Sequence, residues 1–527
     1  MHNSSHFHAF NFGNVIVLIS PSRCYCCVIV WALWQRPWSA TAKLDLPLVE
    51  FDDADNSCDV SELKGRYTNE TGKLLKKGYD KYLKHGRPFA LRNFAHNEAD
   101  RPLVFVPVQY LEEVRNAPQD KVSLPEYTER AAILNHIMGP RITDEVQFAA
   151  RLNLNRALNN LIGPIQEQCF NAAKKTMPSS PEWTPIHVYP IILQLFAHMS
   201  ARVMVGPELC KAWPSFSLQY LNVALKAPSI VRQKYSPWTY WTAKYFSPEV
   251  KAVMKVRRQA AEFVRPVLEA RQKDFRANGD AAERHDDVIQ WLMDEHRARG
   301  RQVMPDELVQ NIFITMVASM HGTSTIAYSV LLDLLDHPDA LTEIRDEIDH
   351  VKKDDLGGAP VWTRHGLVEL RLLDSFMRET HRMHPFTEVT MQRTVLVPYT
   401  FKDGLTVPPG LSVNFTSLQH SMDEDIHGPN ADTFDPKRWF KKRQGFDTSK
   451  FQFASTSDEW LNWGGGPHAC PGRFLADVTI KLILIFLVTN YEIKYPEGVT
   501  KRPADGRRNL MITPDMATPI MFKELQT

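Results

Sequence analysis

The sequence predicts a mainly α-helical chain with a small β part, built as one large domain behind an N-terminal membrane segment. Three observations carry this. Long stretches place apolar residues three and four apart, only short stretches read as strands, and no Gly/Ser linker, low-complexity run or internal repeat divides the 527 residues. Charge is almost balanced, 62 basic against 61 acidic residues, which implies no nucleic-acid partner. The seven scattered cysteines do not form a disulfide framework and fit a reducing, cytosolic setting.

In chain order, the first element is "VIVLISPSRCYCCVIVWALW", Val15 to Trp34. It is apolar and long enough to cross a bilayer, although Pro21 and Arg23 interrupt it. It lacks the basic start of a cleaved signal peptide, and Arg36 and Lys43 on its C-terminal side leave the rest of the chain in the cytosol. Residues 1–40 therefore read as an anchor and 41–527 as the body. Cys24, Cys26 and Cys27 in that segment are candidates for acylation.

"LVFVPVQYLEEV", Leu103 to Val114, reads as a strand running into a helix start. "VRQKYSPWTYWTAKYF", Val231 to Phe246, mixes aromatic rings with Arg232, Lys234 and Lys244, a composition that suits either a membrane interface or a core stripe. "DDVIQWLMDEH" and "HPDALTEIRDEI" have amphipathic spacing, while Leu308 to Leu335 is apolar almost all round, the pattern of a long buried helix. "FKDGLTVPPG", Phe401 to Gly410, reads as a hairpin with an Asp-Gly turn.

The chemistry concentrates in "WLNWGGGPHACPGRFLAD", Trp460 to Asp477. Gly464, Gly465, Gly466 and Gly472 fit a backbone that passes close to a ligand, and Cys470 sits inside that approach. From Arg473 onward the residues are apolar and helix-forming, so Cys470 precedes a helix N-terminus, whose amide groups favour a thiolate. The nearest other cysteine in sequence is Cys210, which argues against a zinc site. A phosphate loop is excluded because His468 and Ala469 stand where Lys and Ser or Thr are needed. On these residues alone a reactive thiolate, a disulfide partner among the seven cysteines and a buried structural cysteine all remain open.

The spacing Trp463-x-x-Gly466-x-His468-x-Cys470-x-Gly472 resembles the heme-ligating loop of the cytochrome P-450 monooxygenases, with Trp where Phe is usual and His where Arg is frequent. Upstream, "LLDSFMRETHRMHP" carries Glu379 and Arg382 and resembles that family's Glu-x-x-Arg helix; "FDPKRW" supplies Arg438, which completes a Glu-Arg-Arg cluster. Residues three apart on a helix share a face, so Glu379 and Arg382 can pair and together receive Arg438.

The resemblance implies the cytochrome P-450 fold, mostly α with a small β-rich part, and a heme b cofactor whose iron takes Cys470 as axial thiolate. It implies that Arg151, Arg393 and His468 meet the heme carboxylates, with Gln147 standing where many members have Trp. It also places "VASMHGTST" over the heme, with His321 and Thr323 as catalytic proton-delivery residues and Gly322 where a threonine is usual. This variant, with "ARVMVGPELC" and "DDVIQWLMD", resembles filamentous-fungal microsomal enzymes of secondary metabolism, held in the endoplasmic reticulum membrane by a single pass.

The expected function is heme-thiolate oxygenation of a hydrophobic secondary metabolite, a terpenoid or related scaffold, with pocket residues near Phe313 and Val317, from Phe386 to Val389 and from Leu510 to Met516. No dinucleotide fingerprint is visible, so a separate NADPH–cytochrome P-450 reductase is implied. The basic run Lys441, Lys442 and Arg443 is either a solvated charge run or part of its docking surface. The alternatives are a redox-independent isomerase or dehydratase on the same heme, and a degenerate heme-binding protein.

Overall fold

A helix that is apolar on every side is stable only where other elements surround it. The computed structural model, which describes residues 8–12, 15–19, 44–52, 60–94, 98–137, 149–444 and 449–525, shows that arrangement around one 32-residue helix, Pro305–Asp336. Pro305 opens this central helix, and Asp306 and Glu307 lie in its first turn, where they complement the helix dipole. It packs against Val188–Leu209, Trp213–Ala224, Pro248–Asn278, Arg371–Met383 and Arg473–Asn490, which explains why Leu308, Ile312, Met316, Ile326, Val330 and Leu334 are all buried.

Helix Val188–Leu209 is long and apolar enough to cross a membrane by length and composition, yet here it is a core helix. It bends at Gly206, whose φ of 75° favours glycine and whose missing Cβ leaves room for Asp287 Oδ2, 2.3 Å from where that atom would lie. Asp287 caps helix Val288–Ala298 through Gln290 N at 2.8 Å and pairs with Arg271, which also binds Glu208. Arg271 thus joins the bend to two further helices.

The β part lies to one side. Its main sheet has five strands in the order Phe89–Asn93, Glu98–Phe105, Ser412–Thr416, Val389–Val395 and Val122–Ser123. Val413 pairs in parallel with Val104 and antiparallel with Arg393, so the sheet places Arg393 in a strand next to the C-terminal half of the chain. The expected strand and helix start appear as Glu98–Phe105 and Leu111–Asn116. The expected hairpin closes through Phe401 N to Leu405 O at 2.8 Å, with Gly404 at φ 93°.

Val15–Ile19, the start of the expected membrane segment, forms a strand paired with His8–Phe12 instead of a helix, in keeping with its β-branched Val15, Ile16, Val17 and Ile19. The remainder of that segment, with Cys24, Cys26 and Cys27, lies outside the described residues, as does Gln147.

Candidate active site

Helix Arg371–Met383 carries the charged cluster that holds the site together. Arg382 reaches Glu379 with Nε to Oε2 at 3.0 Å and Nη2 to Oε1 at 2.7 Å, and both side chains are fully buried. Arg438 Nε donates to Oε1 at 3.1 Å, Trp439 Nε1 to Oε2 at 3.0 Å, and the Asp435 amide to Oε1 at 3.0 Å. Arg382 also donates to the carbonyls of Ser421, Ala431 and Thr433. A solvated surface pair has none of these partners; this one ties the helix to the segment that carries Arg438.

The same helix is fastened to the cysteine loop. Arg378 lies between the rings of Trp439 and Trp460, 4.4 and 4.2 Å from their centres. Asn462 Nδ2 donates to His381 O at 2.6 Å, and the His381 ring is buried among Phe453, Trp460 and Trp463. Burial, reinforced by Arg378, pushes the His381 imidazole down to about 3, so it stays neutral. Trp463, 7% exposed, satisfies its indole N–H on Phe453 O at 2.7 Å.

Cys470 follows from that anchorage. Its amide donates to Trp463 O at 2.8 Å, and helix Arg473–Asn490 starts three residues on. Burial pushes the thiol up, while the amides of Gly472 and Arg473 and the Arg473 guanidinium pull toward the thiolate. The glycines serve different ends: Gly464 and Gly466 take φ of 69° and 61°, and a Cβ on Gly466 would sit 2.2 Å from Arg115 Cγ. A Cβ on Gly472 would meet no protein atom within 4 Å, so close contact with the chain does not explain that glycine.

Three basic side chains gather beside the loop. Arg393 is 2% exposed; Nη1 donates to Gln392 O at 2.8 Å, and Nε and Nη2 have no partner among the described residues. Burial pushes its guanidinium down to about 10. Arg151 is exposed and donates to Pro467 O. Burial, then the nearby Arg393 and Arg151 charges, push His468 down to about 4. A buried guanidinium with two unpaired N–H groups, next to a second arginine and a histidine, is a donor set for carboxylates. The residues fit the two carboxylates of a heme.

The central helix runs unbroken through "HGTST". His321 is partly buried, its imidazole pushed down by that burial, and Nδ1 lies 3.4 Å from Tyr189 Oη. Thr323 is buried, and Gly322 faces the Phe386 ring, with 3.7 Å available to a Cβ. That is ordinary contact, so Gly322→Ala is expected to raise unfolding free energy by up to about 1 kcal/mol, measured by chemical denaturation. Any destabilisation would show that the helix needs glycine there.

Some expected site residues are elsewhere. Phe313 is fully buried and stacks on Tyr220 at 4.0 Å and Trp213 at 5.3 Å, so it belongs to the core and not to a pocket wall, because helix Trp213–Ala224 covers that face. The basic run is dispersed: Lys441 pairs with Asp435 at 3.1 Å, Lys442 lies over the Trp439 and Phe451 rings, and Arg443 is buried on Asp374 at 2.9 Å. Two neighbours of the loop left no trace in the sequence. Arg115 covers Gly466 and pairs with Asp458, and Gln119, fixed by accepting from Leu124 N at 3.2 Å, meets His468 Nε2 at 2.8 Å.

Comparison with known proteins agrees with this geometry. The family model described as Cytochrome P450 matches residues 152–520. The cytochrome P450 monooxygenase cheE of Chaetomium globosum is 36% identical over 483 residues, 91% of either chain. The monooxygenase ccsG of Aspergillus clavatus is 33% identical, covering 94% of this chain and 96% of that protein. Pyrichalasin C-7 hydroxylase of Pyricularia grisea is 32% identical, covering 83% and 85%. Among solved structures, retinoic acid-bound cyanobacterial CYP120A1 superposes with a TM-score of 0.63 over 88% of this chain and 96% of its own; at 16% identity this likeness is one of fold. The fold, the heme-thiolate chemistry that the family implies and the monooxygenase relatives agree: this chain belongs to the cytochrome P450 family of oxidoreductases.

Proposed function

We propose that this monooxygenase oxidises a bulky hydrophobic secondary metabolite, a terpenoid or related scaffold, with electrons from a separate NADPH–cytochrome P-450 reductase. The observation that carries the site assignment is Cys470, held at a helix N-terminus with two amides directed at its sulfur, beside the unpaired N–H groups of Arg393. Cys470 would hold the iron of heme b through its thiolate, and Arg393, Arg151 and His468 would hold its carboxylates. When bound, a heme held by a thiolate supplies the oxidising power to hydroxylate a C–H bond with dioxygen. The reaction takes in substrate, dioxygen, two electrons and two protons, and releases alcohol and water. His321 and Thr323 on the central helix bring protons to the site, and Phe386, Val317 and Met516, partly buried against the core, present an apolar surface to the substrate.

One relative is named for hydroxylation at carbon 7 of pyrichalasin, so the test uses that class beside terpenoids. Purified enzyme with reductase should consume NADPH and add one oxygen atom to one of them. Substrate conversion without NADPH would favour an isomerase or dehydratase, and heme binding without any conversion a degenerate protein.

Attachment to the endoplasmic reticulum membrane, with the catalytic part in the cytosol, would use the apolar stretch ending at Trp34 and an exposed patch. Trp238, Trp241, Tyr245 and Phe246 are 46%, 56%, 54% and 71% exposed, and Lys244 lies over the Tyr245 ring. Tyr240 packs against His136, Lys234 pairs with Glu249, and Arg232 binds the carbonyls of Arg130 and Ala131, so these serve the fold. Protein spanning residues 41–527 is expected to sediment with anionic liposomes. Serine at positions 238, 241 and 246 together should release it with its heme retained, and unchanged sedimentation would remove the patch from membrane contact.

A further inference from the structure

On the central helix the titratable residues are Asp306, Glu307, His321, Tyr328, Asp333 and Asp336. Asp306 and Glu307 lie in its first turn, Asp333 is paired with Arg502, Asp336 ends the helix, and Tyr328 donates to Asp515 O. His321 is therefore the one mid-helix group whose unperturbed range is near neutrality. Gly322 supplies no hydroxyl next to it. How His321 is held then decides whether it can serve a reaction that consumes two protons.

Tyr189, in the first turn of helix Val188–Leu209, lies over the face formed by His321, Thr325 and Tyr328, which are four and three residues apart. Its ring meets Tyr328 edge-on at 5.7 Å. Burial pushes the Tyr189 phenol up, so it remains a neutral hydroxyl. Its hydrogen-bond partner among the described residues is His321 Nδ1, 3.4 Å away, a separation of the kind that tightens in a loaded site, and between a neutral phenol and a neutral imidazole the phenol O–H is the stronger donor and the ring nitrogen the stronger acceptor.

We propose that Tyr189 is the positioning residue for His321: Oη–H donates to Nδ1, so the ring proton rests on Nε2, the nitrogen that Tyr189 does not occupy. In a transfer, the Nε2–H bond breaks as Nδ1–H forms and Oη–H breaks, and Oη is reprotonated by a hydronium ion of the solvent, which leaves water, so the pair ends with the charge it began with. This rests on the reading of His321 as a proton-delivery residue, and the experiment separates the two.

The ¹⁵N spectrum of histidine-labelled, heme-loaded protein, reduced and held as its carbon monoxide complex, is compared among the wild type, Tyr189→Phe and His321→Asn, the last identifying the His321 signals. The expected wild-type pattern is unprotonated Nδ1 and protonated Nε2, and Tyr189→Phe should give a mixture of tautomers. Product turnover should fall about tenfold in Tyr189→Phe, the worth of one hydrogen bond, with the lost electrons appearing as hydrogen peroxide, and about 100-fold in His321→Asn. Protonated Nδ1 in the wild type overturns the proposal even if Tyr189→Phe fails to fold, as does an unchanged pattern and peroxide yield in a folded Tyr189→Phe. Unchanged turnover in His321→Asn sinks the proton-delivery reading, while the ¹⁵N pattern still decides the Tyr189 contact.

Discussion

Cys470→Ala is expected to abolish the red-shifted Soret band of the reduced carbon monoxide complex and, with it, all NADPH-dependent oxygenation. The reason is chemical: the shift and the oxygen chemistry both need a thiolate on the iron, and alanine offers no ligand. The other described cysteines provide a control. Cys169 lies within helix Leu154–Thr176 and Cys210 caps the C-terminal end of helix Val188–Leu209, so both are buried in the helical core and neither belongs to the glycine-rich loop. Alanine at either position should leave the band in place. A normal band in Cys470→Ala would sink the ligand assignment.

Glu379→Gln is expected to have the largest effect on stability. The substitution keeps the shape of the side chain but leaves Arg382 and Arg438 facing each other without a counter-charge; Arg382 is fully buried and Arg438 nearly so. Removing one partner of a buried ion cluster costs on the order of 3 to 5 kcal/mol. By contrast, Glu262 and Arg265 pair at 3.0 Å on the surface, with side chains 64% and 38% exposed. Glu262→Gln, in a pair that solvent screens, should cost far less. Chemical denaturation followed by tryptophan fluorescence measures both, and equal losses would mean that the Glu379 cluster is no more than a surface pair.

That contrast shows what a linear reading can reach. Both pairs are Glu and Arg three residues apart, and nothing in that spacing separates a core cluster from a solvated one. Motif order separated them: Glu379 stands upstream of "FDPKRW" and of the cysteine loop. Where no such context existed, composition misled. Lys441, Lys442 and Arg443 form one basic run in the sequence, yet in the fold Arg443 turns inward to Asp374, which also receives Lys481 at 2.9 Å. Phe313 has the position of a pocket residue but lies beneath Trp213 and Tyr220. The aromatic segment from Val231 to Phe246 divides between Tyr240, which packs inward, and Trp238 and Trp241, which face out.

By itself, the sequence determined the elements whose causes are local. The all-round apolar stretch made the central helix, Asp-Gly made the hairpin turn, and the apolar run after Gly472 put a helix N-terminus behind Cys470. Each follows from backbone preferences and from side chains within a few residues, which a linear chain displays directly. Only the tertiary structure decided the partners and charge states. Gln119 meets His468 across 349 positions and Tyr189 meets His321 across 132. His468 is pushed down to about 4 because the fold buries it and sets Arg393 and Arg151 beside it. Burial and proximity between residues so far apart in the chain arise only when the elements pack, and a charge or tautomer depends on that surrounding medium more than on the residue type.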